Sequence, residues 1–194
     1  MDTSGKEAPE VVASEDVYRG RIFTVTSDTV REQGREHMRE VVRHPGSAGI
    51  VAVHDDQTVS LVRQYRHPAV KYLLEIPAGS RDAFESPEEC AARELEEELG
   101  LVAEGWEKLS EFFVSPGFCG EKMWVYLATD LTETKARPED DENLEIVRVP
   151  LARALEMIEV GEIEDAKTII GLMLAAARLR MPRSDTEIVS AWGR

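Results

Sequence analysis

The segment from Gly79 to Leu101, GSRDAFESPEECAARELEEELGL, contains the clearest helix signals in the chain. Ser86 followed by Pro87 and two glutamates is typical of a helix N-terminus, because the serine hydroxyl can cap free backbone N–H groups and proline suits the first helical position. An apolar stripe at helical spacing follows, formed by Ala91, Ala92, Leu95 and Leu99. Gly100 predicts the end of the helix. We therefore expect a helix that begins at Ser86 and ends before Gly100.

Three glutamates are predicted to share one face of this helix. Glu97 and Glu98 lie three and four residues beyond Glu94, and like charges at that spacing repel each other. A Mg²⁺ ion would offset this repulsion, since its preferred ligands are carboxylate oxygens, water and phosphate. The turn Pro77–Ala78–Gly79 can present a backbone carbonyl to the same ion. Taken alone, three glutamates still favour the alternative interpretation, a solvated acidic helix face.

The complete segment is more specific than its glutamates, because it resembles the Nudix box. In that motif a glycine is followed by five residues, a glutamate, seven residues and then Arg-Glu-aliphatic-X-Glu-Glu-X-Gly-aliphatic. Every fixed position is filled here, by Gly79, Glu85, Arg93, Glu94, Leu95, Glu97, Glu98, Gly100 and Leu101. The resemblance implies the α+β Nudix fold, an α/β/α sandwich with a mixed sheet, and an enzyme that hydrolyses a pyrophosphate bond.

The resemblance to the Nudix family also implies a divalent metal site. The implied ligands are the carboxylates of Glu94, Glu97 and Glu98 and the backbone carbonyl of Ala78. Glu98 is in addition an implied catalytic residue. Mg²⁺ is the expected cofactor, with Mn²⁺ as the alternative. Arg93 and Glu85 are expected to support the ligands, as an ion pair that fixes the loop.

Outside the box, the chain after residue 17 is similar to the ADP-ribose pyrophosphatase branch of the family. The similar segments are VYRG at 17–20, Arg39–Glu40, VRQYR at 62–66, LEIPAG at 74–79 and SPGF at 115–118, followed by Glu121. Pro116 lies where a proline after the box marks ADP-ribose specificity in the family. The resemblance implies substrate contacts at Arg39, Glu40, Arg66, Ser115, Gly117, Phe118 and Glu121. The residue that clamps the adenine stays open.

Arg39 and Arg66 suit the pyrophosphate or the terminal ribose of such a substrate, because a guanidinium fork matches phosphate oxygens. Both arginines lie next to predicted strands, so pairing with surface acids is the alternative interpretation. Phe118 is as compatible with a core position as with a stacking platform for the base.

A general base is expected in the acidic stretch PEDDENLE at residues 138–145. The branch uses a glutamate on a mobile loop after the box in this role, and we assign it to Glu142. Glu139 and Glu145 are the competing candidates, and Glu145 is alternatively a metal ligand. A solvated acidic loop is the ordinary interpretation of the other acids.

The predicted reaction is the metal-dependent hydrolysis of ADP-ribose to AMP and ribose 5-phosphate. The alternatives among enzymes are hydrolysis of another nucleoside diphosphate sugar, such as GDP-mannose, or of a dinucleoside polyphosphate. A non-catalytic Nudix-like domain that senses ADP-ribose is a further hypothesis. Such sensors usually have an eroded box and an attached DNA-binding domain, and this sequence shows neither feature.

The distribution of strand and helix signals predicts three parts of the chain. Residues 1–16 are polar and expected to be frayed. Residues 17–46 should form a small β hairpin or sheet, and residues 47–194 the Nudix catalytic domain. In the ADP-ribose pyrophosphatase branch the N-terminal strands often swap across a homodimer. Because an isolated hairpin is only marginally stable, we expect a homodimer of this kind.

The composition restricts the surroundings in which the protein works. Its formal net charge of −15 disfavours binding to nucleic acid or to an anionic membrane. Two cysteines, Cys90 and Cys119, are too few for a disulfide framework. Neither a signal-peptide pattern nor an apolar run of about 20 residues is present. These features together predict a cytoplasmic location.

Overall fold

The computed structural model describes residues 8–136 and 143–179 and has an α+β architecture. Its strands are β1 (Glu10–Arg19), β2 (Thr24–Glu32), β3 (Arg35–Arg43), β4 (Ser47–Val53), β5 (Thr58–Arg66), β6 (Lys71–Glu75), β7 (Ala78–Ser80), β8 (Leu101–Phe113), β9 (Lys122–Glu133) and β10 (Glu145–Pro150). Its helices are α1 (Pro87–Leu99), α2 (Leu151–Glu159) and α3 (Ala166–Arg178). No helix in the described ranges is long and apolar enough to cross a bilayer. The predicted class, with a mixed main sheet and a separate small N-terminal sheet, is confirmed.

Strands β1, β2 and β3 form a three-stranded antiparallel sheet in that order. The β2–β3 connection is a tight turn in which Gln33 and Gly34 both have positive φ, a conformation that matches the twist of the flanking strands. Strands β1 and β2 are separated at Gly20, whose N–H donates to the Phe23 carbonyl at 2.9 Å. The N-terminal β structure is therefore a sheet of three strands.

Strand β1 begins earlier than the sequence predicts. It starts at Glu10, which pairs with Arg31 of β2, and the two side chains form a salt bridge of 2.8 Å. The expectation of a frayed segment is therefore wrong for residues 10–16. Polar side chains on an exposed strand give it the composition of a disordered terminus, whereas its backbone hydrogen bonds depend on the neighbouring strand.

The larger sheet has seven strands within the described residues. Its order is β10-β5-β4-β9-β8, and in addition β6 pairs with β5 and β7 pairs with β4. The β4–β5, β5–β6 and β5–β10 pairs are antiparallel. All residues of β4 are buried, so this strand runs through the hydrophobic core.

The contacts divide the chain into two compact units, each assembled from separate stretches of sequence. The described residues of the first unit lie within Met1–Ala48, Gly79–Cys90 and Glu111–Trp124. Those of the second lie within Gly49–Ala78, Ala91–Ser110 and Val125–Arg194. The simpler division at residues 17–46 and 47–194 stays a prediction.

Helix α1 carries the box segment, and both of its ends have the predicted signals. Ser86 Oγ accepts a hydrogen bond from the Glu89 N–H at 3.2 Å, and the Glu89 carboxylate accepts one from the Ser86 N–H at 2.8 Å. This reciprocal pair is a capping box. Gly100 follows the helix with φ of 62°, in the left-handed region that favours glycine. Within the predicted apolar stripe Ala91, Leu95 and Leu99 are buried, whereas Ala92 is exposed.

Helix α3 packs closely against the core of the second unit. An added Cβ at Gly171 would come within 3.0 Å of Val51 and 3.1 Å of Ile76, so only glycine fits this approach without a shift of its neighbours. Thr168, one turn earlier, is fully buried. Its hydroxyl accepts a hydrogen bond from the Ile76 N–H at 2.8 Å. Helix α3 therefore holds the chain just before Ala78.

Candidate active site

Helix α1 places two glutamates of the box in the protein interior. Glu94 and Glu98 keep only 7% and 4% of their surface exposed, and Glu97 is partly exposed. The other glutamates of the helix, Glu88, Glu89 and Glu96, are exposed. Two of the three predicted glutamate ligands are therefore buried and the third is partly exposed, whereas the other glutamates of the helix are solvated.

Arg93 is the cation that lies among these carboxylates. Its Nη1 donates to Glu94 Oε1 at 2.6 Å and to Glu97 Oε2 at 3.0 Å. A buried carboxylate is unfavourable unless a cation or hydrogen bonds compensate its charge. Arg93 therefore stabilises the acidic face of α1 by direct ion pairs with two of the expected metal ligands.

The chemistry of the α1 carboxylates fits a hard divalent ion. Carboxylate oxygens are suitable ligands for both Mg²⁺ and Mn²⁺. A bound cation would also compensate the buried charges of Glu94 and Glu98. Within the described residues, no group of three His, Cys, Asp or Glu side chains is arranged as a ready-made metal site, and Glu94 and Glu97 are paired with Arg93. Metal binding at Glu94 or Glu97 would therefore have to coexist with the Arg93 pairs or replace them.

Ala78, the implied backbone ligand, lies at the start of β7 in the same compact unit as the three glutamates. The chain before it is held at two points. The Pro77 carbonyl accepts a hydrogen bond from the Ile50 N–H at 2.9 Å. The Ile76 N–H donates to the hydroxyl of Thr168. The backbone at Ala78 is thus positioned by its neighbours, without any contribution from its own side chain.

The guanidinium of Arg66 is held by a buried carboxylate that the sequence analysis did not select. Arg66 Nε and Nη2 donate to the two oxygens of Glu75, each at 2.7 Å. Glu75 is 1% exposed, and Lys167 Nζ also pairs with its carboxylate. Burial opposes ionisation of Glu75, but the hydrogen bonds and charges of Arg66 and Lys167 outweigh it and hold the Glu75 pKa below its ordinary value. A glutamate within the apolar run LLEIP at 73–77 is the sequence signal for such a buried pair.

Arg66 also interacts electrostatically with Glu98 of the box helix. The hydrogen bond to Glu75 is the main cause that raises the pKa of the Arg66 guanidinium, and the negative charge of Glu98 raises it further. Two residues predicted for the site, Arg66 and Glu98, therefore lie near enough in the second unit for their charges to interact. Since 38% of the Arg66 side chain is exposed, the arginine can meet an anion from solution.

The loop after β8 forms a compact turn in the first unit. The Ser115 carbonyl accepts hydrogen bonds from the N–H groups of Phe118 and Cys119 at 3.2 and 2.9 Å. The Phe118 carbonyl accepts one from the Val42 N–H at 2.8 Å, which attaches the loop to β3. Gly117 is exposed, with no atom within 4 Å of an added Cβ. The Phe118 side chain is 58% exposed, so it is not a core residue and the stacking interpretation stays open.

Glu121 is tied to the beginning of β4 within the first unit. Its carboxylate accepts a hydrogen bond from Ser47 Oγ at 2.8 Å and lies 4.0 Å from His44 Nδ1. The carboxylate is therefore already oriented by protein groups, which is the arrangement expected of a residue that must hold a fixed position.

Arg39 and Glu40 are neighbours on β3, and both side chains are exposed. Arg39 Nη1 donates to the adjacent Met38 carbonyl at 3.0 Å. In the described residues Arg39 pairs with no surface acid, so that alternative does not apply to it. The role of both residues in substrate binding stays a prediction.

The candidates for the general base fall in two places. Glu142, our assignment, and its competitor Glu139 lie outside the described residues. Glu145 begins β10, is exposed, and its carboxylate lies 3.3 Å from Arg63 Nε. Because Glu145 already pairs with Arg63, its carboxylate would have to contact the metal ion in addition to Arg63 if it acted as a ligand.

The α+β architecture, the buried carboxylate pair on a capped helix and the anchored arginine fit one class of protein, an enzyme that acts on phosphate esters or anhydrides with a metal ion. The family is shown by comparison, since the NUDIX domain family matches residues 43–170. The chain belongs to the Nudix family and is a Nudix pyrophosphohydrolase. Hydrolases of this family use divalent metal ions.

Two relatives place the chain within the predicted branch. It is 38% identical over 162 residues to the ADP-ribose pyrophosphatase of Bacillus subtilis (strain 168), which covers 82% of this chain and 88% of the relative. It is 40% identical over 173 residues to the ADP-ribose pyrophosphatase of Mycobacterium tuberculosis (strain ATCC 25618 / H37Rv), covering 87% and 83%. The crystal structure of an ADP compounds hydrolase matches with a TM-score of 0.78 and 29% identity over 90% of this chain and 95% of the other. The resemblance inferred from the sequence and the Nudix fold are confirmed.

Proposed function

We propose that this enzyme hydrolyses the pyrophosphate bond of ADP-ribose, consuming one water to give AMP and ribose 5-phosphate. The observation that carries the proposal is the buried pair Glu94 and Glu98 on the capped box helix, of which Glu98 interacts electrostatically with Arg66. Two relatives that cover most of the chain are ADP-ribose pyrophosphatases. The proposed substrate rests on the similarity to these relatives, and the proposed metal-dependent hydrolysis rests on the carboxylates of Glu94 and Glu98.

In this proposal Glu94, Glu97, Glu98 and the Ala78 carbonyl hold Mg²⁺, with Mn²⁺ as the alternative. When bound, a divalent ion neutralises charge on the phosphates and lowers the pKa of a coordinated water. The buried position of Glu94 and Glu98 excludes water from part of the site, which strengthens electrostatic interactions there. Arg66 presents a guanidinium to the diphosphate, a geometry that suits phosphate oxygens.

The remaining assignments complete the proposed site. Glu142 would accept the proton of the attacking water as general base. The other proposed substrate contacts are Arg39, Glu40, Ser115, Gly117, Phe118 and Glu121. Exposure of Phe118 supports its role as a stacking platform, and the hydrogen bond that orients Glu121 supports a fixed polar contact.

The metal assignment is tested with Glu98→Gln, which keeps the size of the side chain and removes its charge. We expect turnover of ADP-ribose at saturating Mg²⁺ to fall by at least about 100-fold, because loss even of a residue behind the metal ligands typically lowers activity by about 10- to 100-fold. Glu96→Gln is the matched control, since Glu96 is exposed on the same helix. Near-normal turnover by Glu98→Gln would remove Glu98 from the metal site.

The general base is tested separately with Glu142→Gln. This variant should lose turnover while isothermal titration still detects binding of Mg²⁺ and of ADP-ribose, because the base takes part only in the reaction step. An unchanged rate would shift the assignment to Glu139 or Glu145, and the corresponding glutamine variants would then decide between them.

Substrate identity is tested by comparing kcat/KM for ADP-ribose, GDP-mannose and diadenosine polyphosphates, with product analysis by chromatography. ADP-ribose should be the best substrate and should yield AMP and ribose 5-phosphate. A higher kcat/KM for one of the others would transfer the proposal to that substrate. Tight ADP-ribose binding without any turnover would instead support the sensor hypothesis.

We also propose a cytoplasmic homodimer assembled through strands β1–β3 and free of nucleic acid. The N-terminal strands expose apolar side chains, with Val17, Tyr18 and Met38 at 64%, 55% and 71% of their surface. Such side chains are commonly buried at interfaces between subunits. The net charge of −15 disfavours nucleic acid as a partner. A monomeric mass by light scattering at working concentration would contradict the dimer.

A further inference from the structure

Among the acids of the described residues that lie outside the box motif, Glu75 is the most deeply buried. It ends strand β6 and receives three charge-assisted contacts, two from Arg66 and one from Lys167. Its two oxygens engage Arg66 at Nε and Nη2, the side edge of the guanidinium, in a bidentate pair. A bidentate pair fixes the plane and direction of the guanidinium, which a single hydrogen bond would not do.

The pair with Glu75 leaves one guanidinium nitrogen of Arg66 for other partners. Nη1 makes no hydrogen bond to any of the described residues, and the Arg66 side chain is 38% exposed. Arg66 thus has two nitrogens held by a buried carboxylate, and a third that is available to another partner on a side chain that solvent reaches. A surface arginine without such an anchor would sample many rotamers and lose that freedom when it binds phosphate.

Lys167 also holds the Glu75 carboxylate. Its side chain is 13% exposed, and its Nζ pairs with Glu75 and, at 3.1 Å, with Asp165 Oδ2. Asp165 in turn caps α3 by accepting a hydrogen bond from the Thr168 N–H at 3.0 Å. The Glu75 carboxylate is therefore fixed to the first turn of α3, and its direction does not depend on Arg66 alone.

From this arrangement we propose that Glu75 is a positioning residue, which aims the Nη1 edge of Arg66 at a phosphate of the nucleoside diphosphate substrate. The inference rests on the proposed function, because it takes Arg66 to be a phosphate contact. Glu75 itself touches no substrate. Its carboxylate acts only through the orientation of the guanidinium, and the charge of Lys167 keeps that carboxylate in place.

The test compares Glu75→Gln, Arg66→Lys and the double variant in the full-length enzyme, by steady-state kinetics with ADP-ribose. Misplacement of a binding group by about 1 Å can lower activity by about 100-fold, so kcat/KM of Glu75→Gln should fall by about 10- to 100-fold. Arg66→Lys keeps the charge but cannot form the bidentate pair. In the Arg66→Lys background Glu75→Gln should change kcat/KM by less than about 3-fold, because residues that act as a unit are not additive.

Two further variants separate positioning from a merely structural role. Glu75→Asp keeps the charge on a shorter side chain, so it should fold even if Glu75→Gln does not, and its loss in kcat/KM should again vanish in the Arg66→Lys background. Asp56→Asn is the matched control, since Asp56 also accepts two hydrogen bonds from one arginine, Arg148, but on the protein surface. It should leave kcat/KM unchanged within about 2-fold.

The outcomes distinguish this inference from the proposed function. If the wild-type enzyme cleaves ADP-ribose and the losses at Glu75 and Arg66 multiply independently, Glu75 does not act through Arg66 and the inference is overturned alone. A wild-type enzyme that neither binds nor cleaves ADP-ribose overturns the proposed function, and the inference with it. Full activity of both Glu75→Gln and Glu75→Asp also overturns the inference.

Discussion

Replacement of Thr168 by valine should loosen the attachment of helix α3 to the segment that presents Ala78. Thr168 is fully buried, and its hydroxyl makes two hydrogen bonds. It accepts from the Ile76 N–H at 2.8 Å and donates to Asp165 Oδ2 at 2.6 Å. Valine has nearly the same shape as threonine, so Thr168→Val removes these bonds without opening a cavity.

The expected loss follows from the two bonds at Thr168. The buried Ile76 N–H would be left without its acceptor, which costs about 1–3 kcal/mol, and loss of the bond to Asp165 adds about 1 kcal/mol. Asp165 still accepts from the Thr168 N–H and pairs with Lys167, so it is not left unsatisfied. The free energy of unfolding should therefore fall by about 2–4 kcal/mol.

Urea denaturation followed by tryptophan fluorescence measures this change, at one protein concentration throughout because the chain is proposed to dimerise. With an m-value of about 2 kcal/mol/M, the midpoint should fall by about 1–2 M. Thr168→Ser is the matched control, since it keeps the hydroxyl and loses one methyl group, which is worth about 1 kcal/mol. A Thr168→Val variant as stable as Thr168→Ser, or more stable, would refute the argument from the hydrogen bonds.

Two further predictions concern other parts of the chain. Gly100→Ala should lower the free energy of unfolding in urea by at least about 2 kcal/mol, because Gly100 has positive φ and an added Cβ would lie 2.6 Å from the Ala136 nitrogen. Gly34→Ala is the control, since Gly34 has positive φ but open space around it, and it should cost only about 1 kcal/mol. Equal losses in the two variants would show that the crowding at Gly100 is relieved. Asp28 has a lowered pKa, chiefly through its hydrogen bond from Ser14 and further through Arg43, so its contribution to stability should be present above about pH 4 and disappear as the pH falls through the folded-state pKa. Asp28→Asn should therefore lower the melting temperature more at pH 7 than at pH 3, and a difference at pH 3 as large as that at pH 7 would contradict this.

The box helix was predictable from the sequence because its signals are local. The cap at Ser86, the buried Leu95 and the left-handed Gly100 depend on residues within a few positions of each other, and local propensity and helical spacing describe such contacts well. The burial of Glu94 and Glu98 also follows from helical spacing, since each lies three or four residues from Ala91 or Leu95 on the inward side.

Other features depend on partners that are distant in sequence. The Glu75–Lys167 pair joins residues 92 positions apart, and no local pattern indicates which cation a buried glutamate meets. Strand β1 was missed between Glu10 and Asp16 for a related reason, since its pairing with β2 is a property of the neighbouring strand. The ion pairs of Arg93 with Glu94 and Glu97 lie within helical reach, whereas the expected pair of Arg93 with Glu85 stays a prediction.

The arrangement around Arg66 explains how an acidic protein can bind an anionic substrate. A net charge of −15 describes the field far from the surface, which counter-ions screen beyond about 10 Å. Near Arg66, within the second unit, individual charges matter more than the net charge of the chain. The Glu75 carboxylate is compensated there by Arg66 and Lys167 and is only 1% exposed. Because the acid is buried and the arginine is partly exposed, the positive group of this pair is the one that solution anions meet. Local burial, more than total composition, thus determines the sign of the charge that a phosphate encounters.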